Sequence, residues 1–121
     1  MNPVQKLRFR RSRRLTRVAE FARVRTEGKT QRGALLVLGF LQLADQEPFR
    51  AGFITTKKLG GAVVRNRVRR RFREIVRRHQ HEIRAGIWLV LIPRAAASHA
   101  SYAEVEAEWL RLARRASILA P

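Results

Sequence analysis

The sequence predicts a small single-domain α+β fold in which helices cover a sheet. Three observations predict it. One basic segment has the apolar spacing of an amphipathic helix, three short apolar runs between turn residues are typical of strands, and a Ser-x-x-Glu box begins another amphipathic segment near the end of the chain. A length of 121 residues gives room for one domain with a modest core.

The charge balance limits the classes of partner. The chain has 27 basic and 9 acidic residues, a formal net charge of +18. A folded domain with this charge favours a polyanion, with nucleic acid as the first candidate and an anionic membrane surface as the second. Arg predominates over Lys, which suits phosphate and base recognition in RNA, although a GC-rich genome would also favour Arg codons. The absence of Cys excludes disulfides and thiolate metal sites.

The chain begins with basic residues and continues into the first predicted helix. Residues 1–13 are expected to form a basic flexible arm, and residues 14–119 the folded domain. The pattern over residues 15–27 predicts a helix with Thr16 as its cap and Gly28 just past its end. The apolar side of this helix consists of Val18, Phe21, Ala22 and Val24.

The next segments are predicted strands. Residues 33–43 form an apolar run bounded by polar turns, which indicates a strand, although its Leu and Ala content also suits a helix. A turn over 45–48 separates it from a second strand over 50–56. One further short strand over residues 29–32 is an alternative. The order is then α-β-β-α-β-α, or α-β-β-β-α-β-α with the extra strand.

The basic segment predicts a helix over residues 62–83 that Gly86 closes. At 100° per residue one arc collects its apolar stripe of Val64, Val68, Phe72, Ile75, Val76, His79 and Ile83. Arginines fill the rest of the circumference, and Glu74 is the lone acidic residue between Leu59 and Gln80. Surface helices normally mix charge signs, so this row favours a polyanion-binding face over a merely solvated one.

The last third of the chain predicts a strand and a helix. Residues 87–92 are continuously apolar and end at Pro93, as in a strand buried on both faces. After a loop over 94–100, Ser101 and Glu104 form a capping box. The buried face of the helix that follows is expected to consist of Tyr102, Val105, Trp109, Leu112 and Ala116.

Candidate catalytic residues are scarce. The three histidines, His79, His81 and His99, make no nucleophile or metal-ligand pattern, and His79 fits a packing role. The predicted surface face of the last helix carries Glu104, Glu106 and Glu108 without a carboxylate pair. We therefore expect neither catalytic residues nor a metal site in this chain.

The residues before the basic helix offer a phosphate contact. Lys57 and Lys58 precede Gly60 and Gly61 at a helix start, where anions bind. The spacing of a nucleotide-binding loop is missing, so a contact with an RNA backbone remains as one alternative and a structural turn as the other.

The stretch KKLGGAVVRNRVRRRFREIVR resembles the signature of the bacterial ribonuclease P protein family. Two Lys end a strand, Gly and Ala-Val follow, and Arg-Asn-Arg leads into a basic amphipathic helix. The similarity covers about residues 14–117. It implies the order α-β-β-β-α-β-α, with a left-handed β-α-β crossover against the usual rule.

The resemblance also implies a function. The protein would be the small subunit of a ribonucleoprotein that removes the 5′ leader of precursor tRNA, while the RNA subunit performs hydrolysis with Mg²⁺. Its partners would be that RNA and precursor tRNA in the cytoplasm, with no membrane and no obligate protein partner. Two rivals remain: a ribosomal or assembly protein that binds ribosomal RNA, and a self-sufficient nuclease.

The site residues follow from the resemblance by position. The expected contacts with the RNA subunit are Lys57, Lys58, Arg65, Asn66, Arg67, Arg69, Arg70 and Arg73. A cleft between the first helix and the sheet would hold the leader, with Phe21, Arg17, Arg25 and Phe53 as its residues. Arg25 and Gly39 stand where the family often has aromatic residues, and alternation turns Phe40 to the opposite face. We therefore expect weaker base stacking and stronger phosphate contact in this cleft.

Overall fold

The computed structural model describes residues 11–120, and three α-helices and a four-stranded mixed sheet lie within this range. The chain order is α1-β1-β2-β3-α2-β4-α3, as the resemblance implies. The helices are α1 (Val18–Glu27), α2 (Ala62–Arg78) and α3 (Tyr102–Arg115). The strands are β1 (Lys29–Arg32), β2 (Leu36–Gln42), β3 (Arg50–Phe53) and β4 (Ile87–Pro93).

The sheet has the strand order β1-β2-β4-β3. β2 pairs antiparallel with both β1 and β4, whereas β3 pairs parallel with β4. β3 is therefore an edge strand, and α2 connects it to its parallel neighbour in a β-α-β unit. The left hand of this crossover stays a prediction of the resemblance.

Helices pack on both faces of the sheet, because alternate side chains of β2 and β4 point to opposite sides. One face packs against α2 and α3 and forms the main core, whose largest buried side chains include Leu36, Leu38, Leu89, Leu91, Phe72 and Trp109. The other face packs against α1 in a smaller cluster centred on Leu15, Val24 and Val90. The second cluster leaves much of its face open, and the candidate cleft lies there.

The carboxylate of Glu108 is buried, which corrects the expectation of a surface position. Its two oxygens accept hydrogen bonds from the backbone N–H groups of Ala34, Leu35 and Leu36 at 2.9, 2.7 and 2.9 Å. Arg111 adds an ion pair from the exposed side at 3.2 Å. Three donors compensate the cost of burying the charge, so α3 anchors the connection between β1 and β2.

The first helix begins three residues later than the spacing predicted. Arg17, not Thr16, is the N-cap, and Glu20 accepts hydrogen bonds from both of their backbone N–H groups. Leu15 is buried and extended instead, with its N–H donating to Ala51 O. Gly28 does end the helix, but not in the left-handed region; a Cβ there would lie 2.3 Å from Phe40 O, so close approach requires the glycine.

The basic helix ends at Arg78, five residues before the predicted end. His79 leaves the helical conformation, stacks on Trp109 and faces Glu82 and Glu106 with its two ring nitrogens. A 3₁₀ turn follows, and Ile83 forms a β-bridge with Leu119. Packing at the end of the apolar stripe is thus achieved without continuing the helix, and Gly86 lies beyond it, just before β4.

The remaining boundaries are shorter than predicted. The segments 33–43 and 50–56 are strands, but only over the ranges of β2 and β3. The loop 94–100 contains a 3₁₀ turn over Ala95–Ser98. The capping box of α3 is confirmed, since Ser101 Oγ accepts from the Glu104 N–H and Glu104 Oε1 from the Ser101 N–H. Residues 1–10 of the predicted arm lie outside the described residues, and Arg11–Arg13 form a 3₁₀ turn.

Replacement of Glu108 by Ala is expected to lower the free energy of unfolding by about 3 kcal/mol, because backbone donors would remain buried without their acceptor. Urea denaturation measures this change. Arg111→Ala is the matched control, since it removes only the exposed side of the same ion pair and should cost under about 1 kcal/mol. Equal losses in the two variants would contradict the anchoring role.

Candidate nucleic-acid interface

A cleft of about 180 Å³ lies between α1 and the sheet. Phe21 reaches it because Gly52 on β3 has no side chain; a Cβ at Gly52 would lie 2.4 Å from the ring. Arg25, one turn along α1, stands at the same cleft and is exposed. The rest of the lining is Val24, Thr30, Val37, Gly39, Ile54, Val90 and Ile92. The cleft thus combines an apolar floor with one aromatic ring and one cation.

The structure brings only two of the four predicted cleft residues together. Phe21 and Arg25 line the cleft, whereas Arg17 is the exposed N-cap of α1 and does not line it. Phe53 points to the other face of the sheet, where it packs against the main core under the guanidinium of Arg73. The placement of Phe53 in the cleft was wrong because strand alternation gives the cleft side to its neighbour Gly52. Gly39 lies in the cleft and Phe40 packs on the opposite face, as expected.

The start of α1 is held by a carboxylate. Glu20 joins Arg50 on β3 in an ion pair and also accepts the two backbone N–H bonds that cap the helix. Burial by itself raises the pKa of Glu20, but the hydrogen bonds from Arg17, Thr16 and Arg50 outweigh it and lower that pKa below its ordinary value. α1, which carries Phe21, is thereby fixed to the edge of the sheet.

Buried apolar residues fix the rotation of α2 and sort its arginines into rows. Val68, Phe72, Ile75 and Val76 are buried against the core. On the β3 side, Arg69 contacts Asn66 and Thr55, and Arg73 lies over Phe53. Arg65 precedes them on this row at helical spacing.

The opposite row of α2 faces the loop before α3. Arg67 donates to Ser98 O at 3.3 Å, Arg71 donates to Ala100 O at 2.6 Å, and Arg78 lies over the ring of Tyr102. These arginines support the loop as well as adding positive charge. Arg70, between the two rows, is exposed.

The predicted phosphate contacts before α2 are exposed at its start. Lys57 and Lys58 lie in a 3₁₀ turn that ends at Leu59, and α2 begins after Gly61 with no acidic residue in its first turn. The first acidic residue of the helix is Glu74, which forms an ion pair with Arg77. The hydrogen bond from Arg77 lowers the pKa of the Glu74 carboxyl. The first half of α2 therefore presents almost pure positive charge beside the cleft.

Sequence reasoning missed several residues of this surface. The cleft floor of Val37, Val90 and Ile92 was recoverable from strand alternation once the face of Gly39 was assigned. The extended backbone at Arg14 and Leu15 was missed because it depends on a long-range β-bridge between Arg14 and Ala51, which no local pattern indicates. Within residues 11–120, no group of three or more His, Cys, Asp or Glu side chains is placed to hold a metal ion, and no helix is long and apolar enough to cross a bilayer.

Comparison with known proteins agrees with this arrangement. The family model described as Ribonuclease P matches residues 9–117. The chain belongs to the ribonuclease P protein family. It is therefore a protein component of ribonuclease P, an endoribonuclease that acts in tRNA processing.

Individual members of the ribonuclease P protein family match over nearly their full length. The ribonuclease P protein component of Gluconacetobacter diazotrophicus is 41% identical over 109 residues, which are 89% of this chain and 94% of the relative. That of Syntrophomonas wolfei is 34% identical and covers 96% and 92%. The solved ribonuclease P protein of Thermotoga maritima aligns with a TM-score of 0.75 at 30% identity, covering 84% of this chain and 96% of that one.

Replacement of Glu20 by Gln tests the anchoring of α1. Because the folded-state pKa of Glu20 is lowered, its stabilising effect is fully present above the unfolded-state pKa of about 4.3 and is lost as the pH falls through the folded-state value. We expect the variant to lose about 1 kcal/mol of unfolding free energy at pH 7 and the difference from wild type to shrink below about pH 4.

Urea denaturation between pH 7 and pH 3 measures this difference. Glu27→Gln is the control, because the Glu27–Arg23 pair is exposed and i,i+4, and its removal should change stability little. A Glu20 effect that stays constant across this pH range would contradict the assignment.

Proposed function

We propose that this protein is the RNA-binding subunit that enables ribonuclease P to remove the 5′ leader of precursor tRNA. α2 binds the RNA subunit, and the cleft beside α1 binds the leader. The observation that carries the proposal is the junction of these two surfaces at the end of β3. Ile54 lines the cleft, and the next residue, Thr55, contacts Arg69 of α2. One strand end therefore joins an aromatic cleft for single-stranded RNA to a guanidinium surface for folded RNA.

The RNA subunit contact uses the exposed positive charge at the start and outer side of α2. Arginine guanidiniums bind phosphates in a bidentate manner, and Asn66 supplies an amide for a 2′-hydroxyl or base edge. The expected contacts are Lys57, Lys58, Arg65, Asn66, Arg67, Arg69, Arg70 and Arg73. Arg67 and Arg69 contribute less freely than the exposed Arg70, because Arg67 donates to Ser98 O and Arg69 donates to Asn66 and Thr55.

The cleft binds a single strand without reading much of its sequence. Phe21 offers one ring for base stacking, the apolar floor accepts a base edge, and Arg25 meets the backbone phosphate at the rim. Arg25 and Gly39 stand where the family often has aromatic residues, so this cleft has fewer aromatic surfaces for stacking. Phosphate contact therefore takes a larger share of leader affinity.

Chemistry in this proposal belongs to the RNA subunit, which binds the Mg²⁺ ions and performs hydrolysis. The protein raises affinity for the substrate and for the metal by holding the leader and screening phosphate repulsion. It needs no catalytic side chain of its own and no second protein. A cytoplasmic location stays the expectation from the sequence.

The deciding experiment is cleavage of a 5′-leader precursor tRNA at low Mg²⁺. It compares a bacterial ribonuclease P RNA alone, the protein alone and the mixture. Cleavage at the mature 5′ end only in the mixture is expected. Cleavage by the protein alone would favour a self-sufficient nuclease, and no stimulation across several RNA subunits with folded protein would favour a general RNA-binding protein.

Two substitutions separate stacking from phosphate contact in the cleft. Phe21→Ala should weaken leader binding by about 1–3 kcal/mol, because it removes the stacking ring. Arg25→Ala should also weaken it, and its effect should diminish at high salt because the contact is electrostatic. The measurement is the affinity of the reconstituted enzyme for precursor tRNA. Loss with Phe21→Ala but none with Arg25→Ala would contradict the predicted emphasis on phosphate.

Removal of the exposed guanidinium of Arg70 tests the RNA subunit surface. Arg70→Ala should weaken binding to the RNA subunit and reduce the slope of log affinity against log salt by about 0.7–0.9, the value for one lost phosphate contact. Arg115→Ala is the charge-matched control, because Arg115 is exposed at the end of α3. Identical salt slopes for the two variants would place the RNA elsewhere.

A further inference from the structure

A polar pocket of about 360 Å³ lies where the segment after α3 meets the residues that follow α2. A β-bridge between Ile83 and Leu119 joins these two parts of the chain, and backbone hydrogen bonds flank the bridge on both sides. The pocket therefore has a fixed backbone, and we call it the Arg84 pocket. Its lining consists of Glu82, Arg84, Arg114, Ser117, Leu119 and Ala120.

The guanidinium of Arg84 is held in place before any ligand arrives. Its backbone N–H donates to Ile118 O at 2.9 Å, and its Nε donates to Leu119 O at 3.0 Å. No hydrogen bond or ion pair within residues 11–120 uses its two terminal amino groups. A guanidinium that is fixed along one side presents its remaining N–H groups in a set direction, which suits the oxygens of a phosphate.

Arg114 and Ser117 add two further donors from the end of α3. Arg114 lies in the last turn of the helix, is exposed, and forms no ion pair with another residue of the described chain. Ser117 has a φ of 58°, and it is the one residue other than glycine with a positive φ among residues 11–120. Glycine is the usual residue at such a position after a helix. Serine instead places a hydroxyl donor in the lining of the pocket.

Negative charge near the Arg84 pocket is largely compensated. Glu82 is the one acidic residue in the described lining, and its Oε2 lies 2.5 Å from Nδ1 of His79. The negative end of a helix dipole disfavours an anion. At the end of α3, however, the backbone N–H groups of Ala116, Ser117 and Ile118 donate to its last carbonyls. Two guanidiniums therefore determine the charge of the pocket.

The Arg84 pocket lies apart from both surfaces of the proposed function. Its bridge residues Ile83 and Leu119 pack with the main core, whereas the cleft beside α1 belongs to the smaller cluster on the other face of the sheet. Lys57 and Lys58 precede the start of α2, and the Arg84 pocket follows its end. The helix has 17 residues and is therefore roughly 25 Å long. A ligand in this pocket makes contacts that neither of the other surfaces makes.

We propose that the Arg84 pocket binds a phosphate group. Arg84 and Arg114 supply the cationic donors, and Ser117 supplies a hydroxyl. The backbone of an RNA and free inorganic phosphate present the same oxygens to these donors, and two separate measurements distinguish the two sources. The site goes beyond the proposed function, because it needs neither the cleft nor the start of α2. A phosphate contact at this place fixes the position of an RNA but does not read its bases.

Titration of the ¹⁵N-labelled protein with inorganic phosphate, followed by nuclear magnetic resonance, is the first test. Sodium chloride at matched ionic strength is the reference. Phosphate should cause saturable shift changes at the Ser117 N–H and the Arg84 Nε–H. Arg114→Ala should weaken this binding about tenfold, the effect of one lost charge-assisted hydrogen bond. Arg115→Ala is the matched control, because it removes the same charge one residue further along but does not line the pocket; it should retain wild-type affinity.

The second measurement identifies the source of the phosphate. The affinity of the protein for a bacterial ribonuclease P RNA is measured as a function of salt. If the RNA backbone occupies the Arg84 pocket, Arg114→Ala should reduce the slope of log affinity against log salt by about 0.7–0.9 more than Arg115→Ala does. Equal slopes for the two variants, together with phosphate binding in the titration, would identify free phosphate as the ligand.

Ser117→Gly separates binding from stability. Glycine adopts a positive φ without steric cost, so thermal melting of this variant should occur at the same or a higher temperature than that of wild type. Its affinity for inorganic phosphate should nevertheless fall, because the hydroxyl donor is lost. A merely structural role for Ser117 would not produce this combination.

Three outcomes of the phosphate titration would overturn the proposal. They are the absence of saturable shifts at Ser117 and Arg84 in wild type, shifts of equal size at exposed arginines throughout the protein, and an unchanged affinity in Arg114→Ala. The titration contains no RNA, so its result is independent of whether the protein supports cleavage of precursor tRNA. Failure of this site and failure of the proposed function are thereby distinguished.

Discussion

The packing of the apolar stripe of α2 beneath the sheet is the constraint on which the rest of the structure depends. With Val68, Phe72, Ile75 and Val76 buried, the arginines of the helix must face the sheet edge, the solvent or the loop before α3. A helix with so many guanidiniums would repel itself in isolation. The core holds it in place, so that its charge is presented as a fixed surface and not as a mobile tail.

The sheet serves two purposes because its two faces are built differently. The face toward α2 and α3 is filled by large side chains and provides most of the stability. The face toward α1 carries Gly39 and Gly52 opposite small and aromatic groups, and it is only partly covered. A single short helix across this face leaves a cleft, so stability and ligand binding do not compete for the same side chains.

The sequence was sufficient where a feature depends on local periodicity. The order of the elements other than β1, the capping box of α3, the buried part of the α2 stripe and the opposite orientation of Phe40 follow from spacing, whereas β1 was definite only through the family resemblance. Features that depend on distant partners were not predictable. Glu108 looked like a surface residue because its donors lie more than seventy positions away, at Ala34 to Leu36. Phe53 was assigned to the wrong face because the phase of β3 is set by the packing of Phe21 against Gly52. The extended backbone at Arg14 depends on its bridge to Ala51, which is distant in sequence.

The late position of β4 in the chain has a consequence for biosynthesis. β4 is a central strand that pairs with both β2 and β3, yet it follows the arginine-rich helix in the chain. The connection between β1 and β2 likewise depends on Glu108, which belongs to the last helix. During translation the basic segment therefore leaves the ribosome before β4 and α3, which complete its core, have emerged. Folding must wait for long-range pairing while an unfolded polycation stands beside ribosomal RNA. Until the sheet closes, the basic segment is therefore exposed to capture by other nucleic acid.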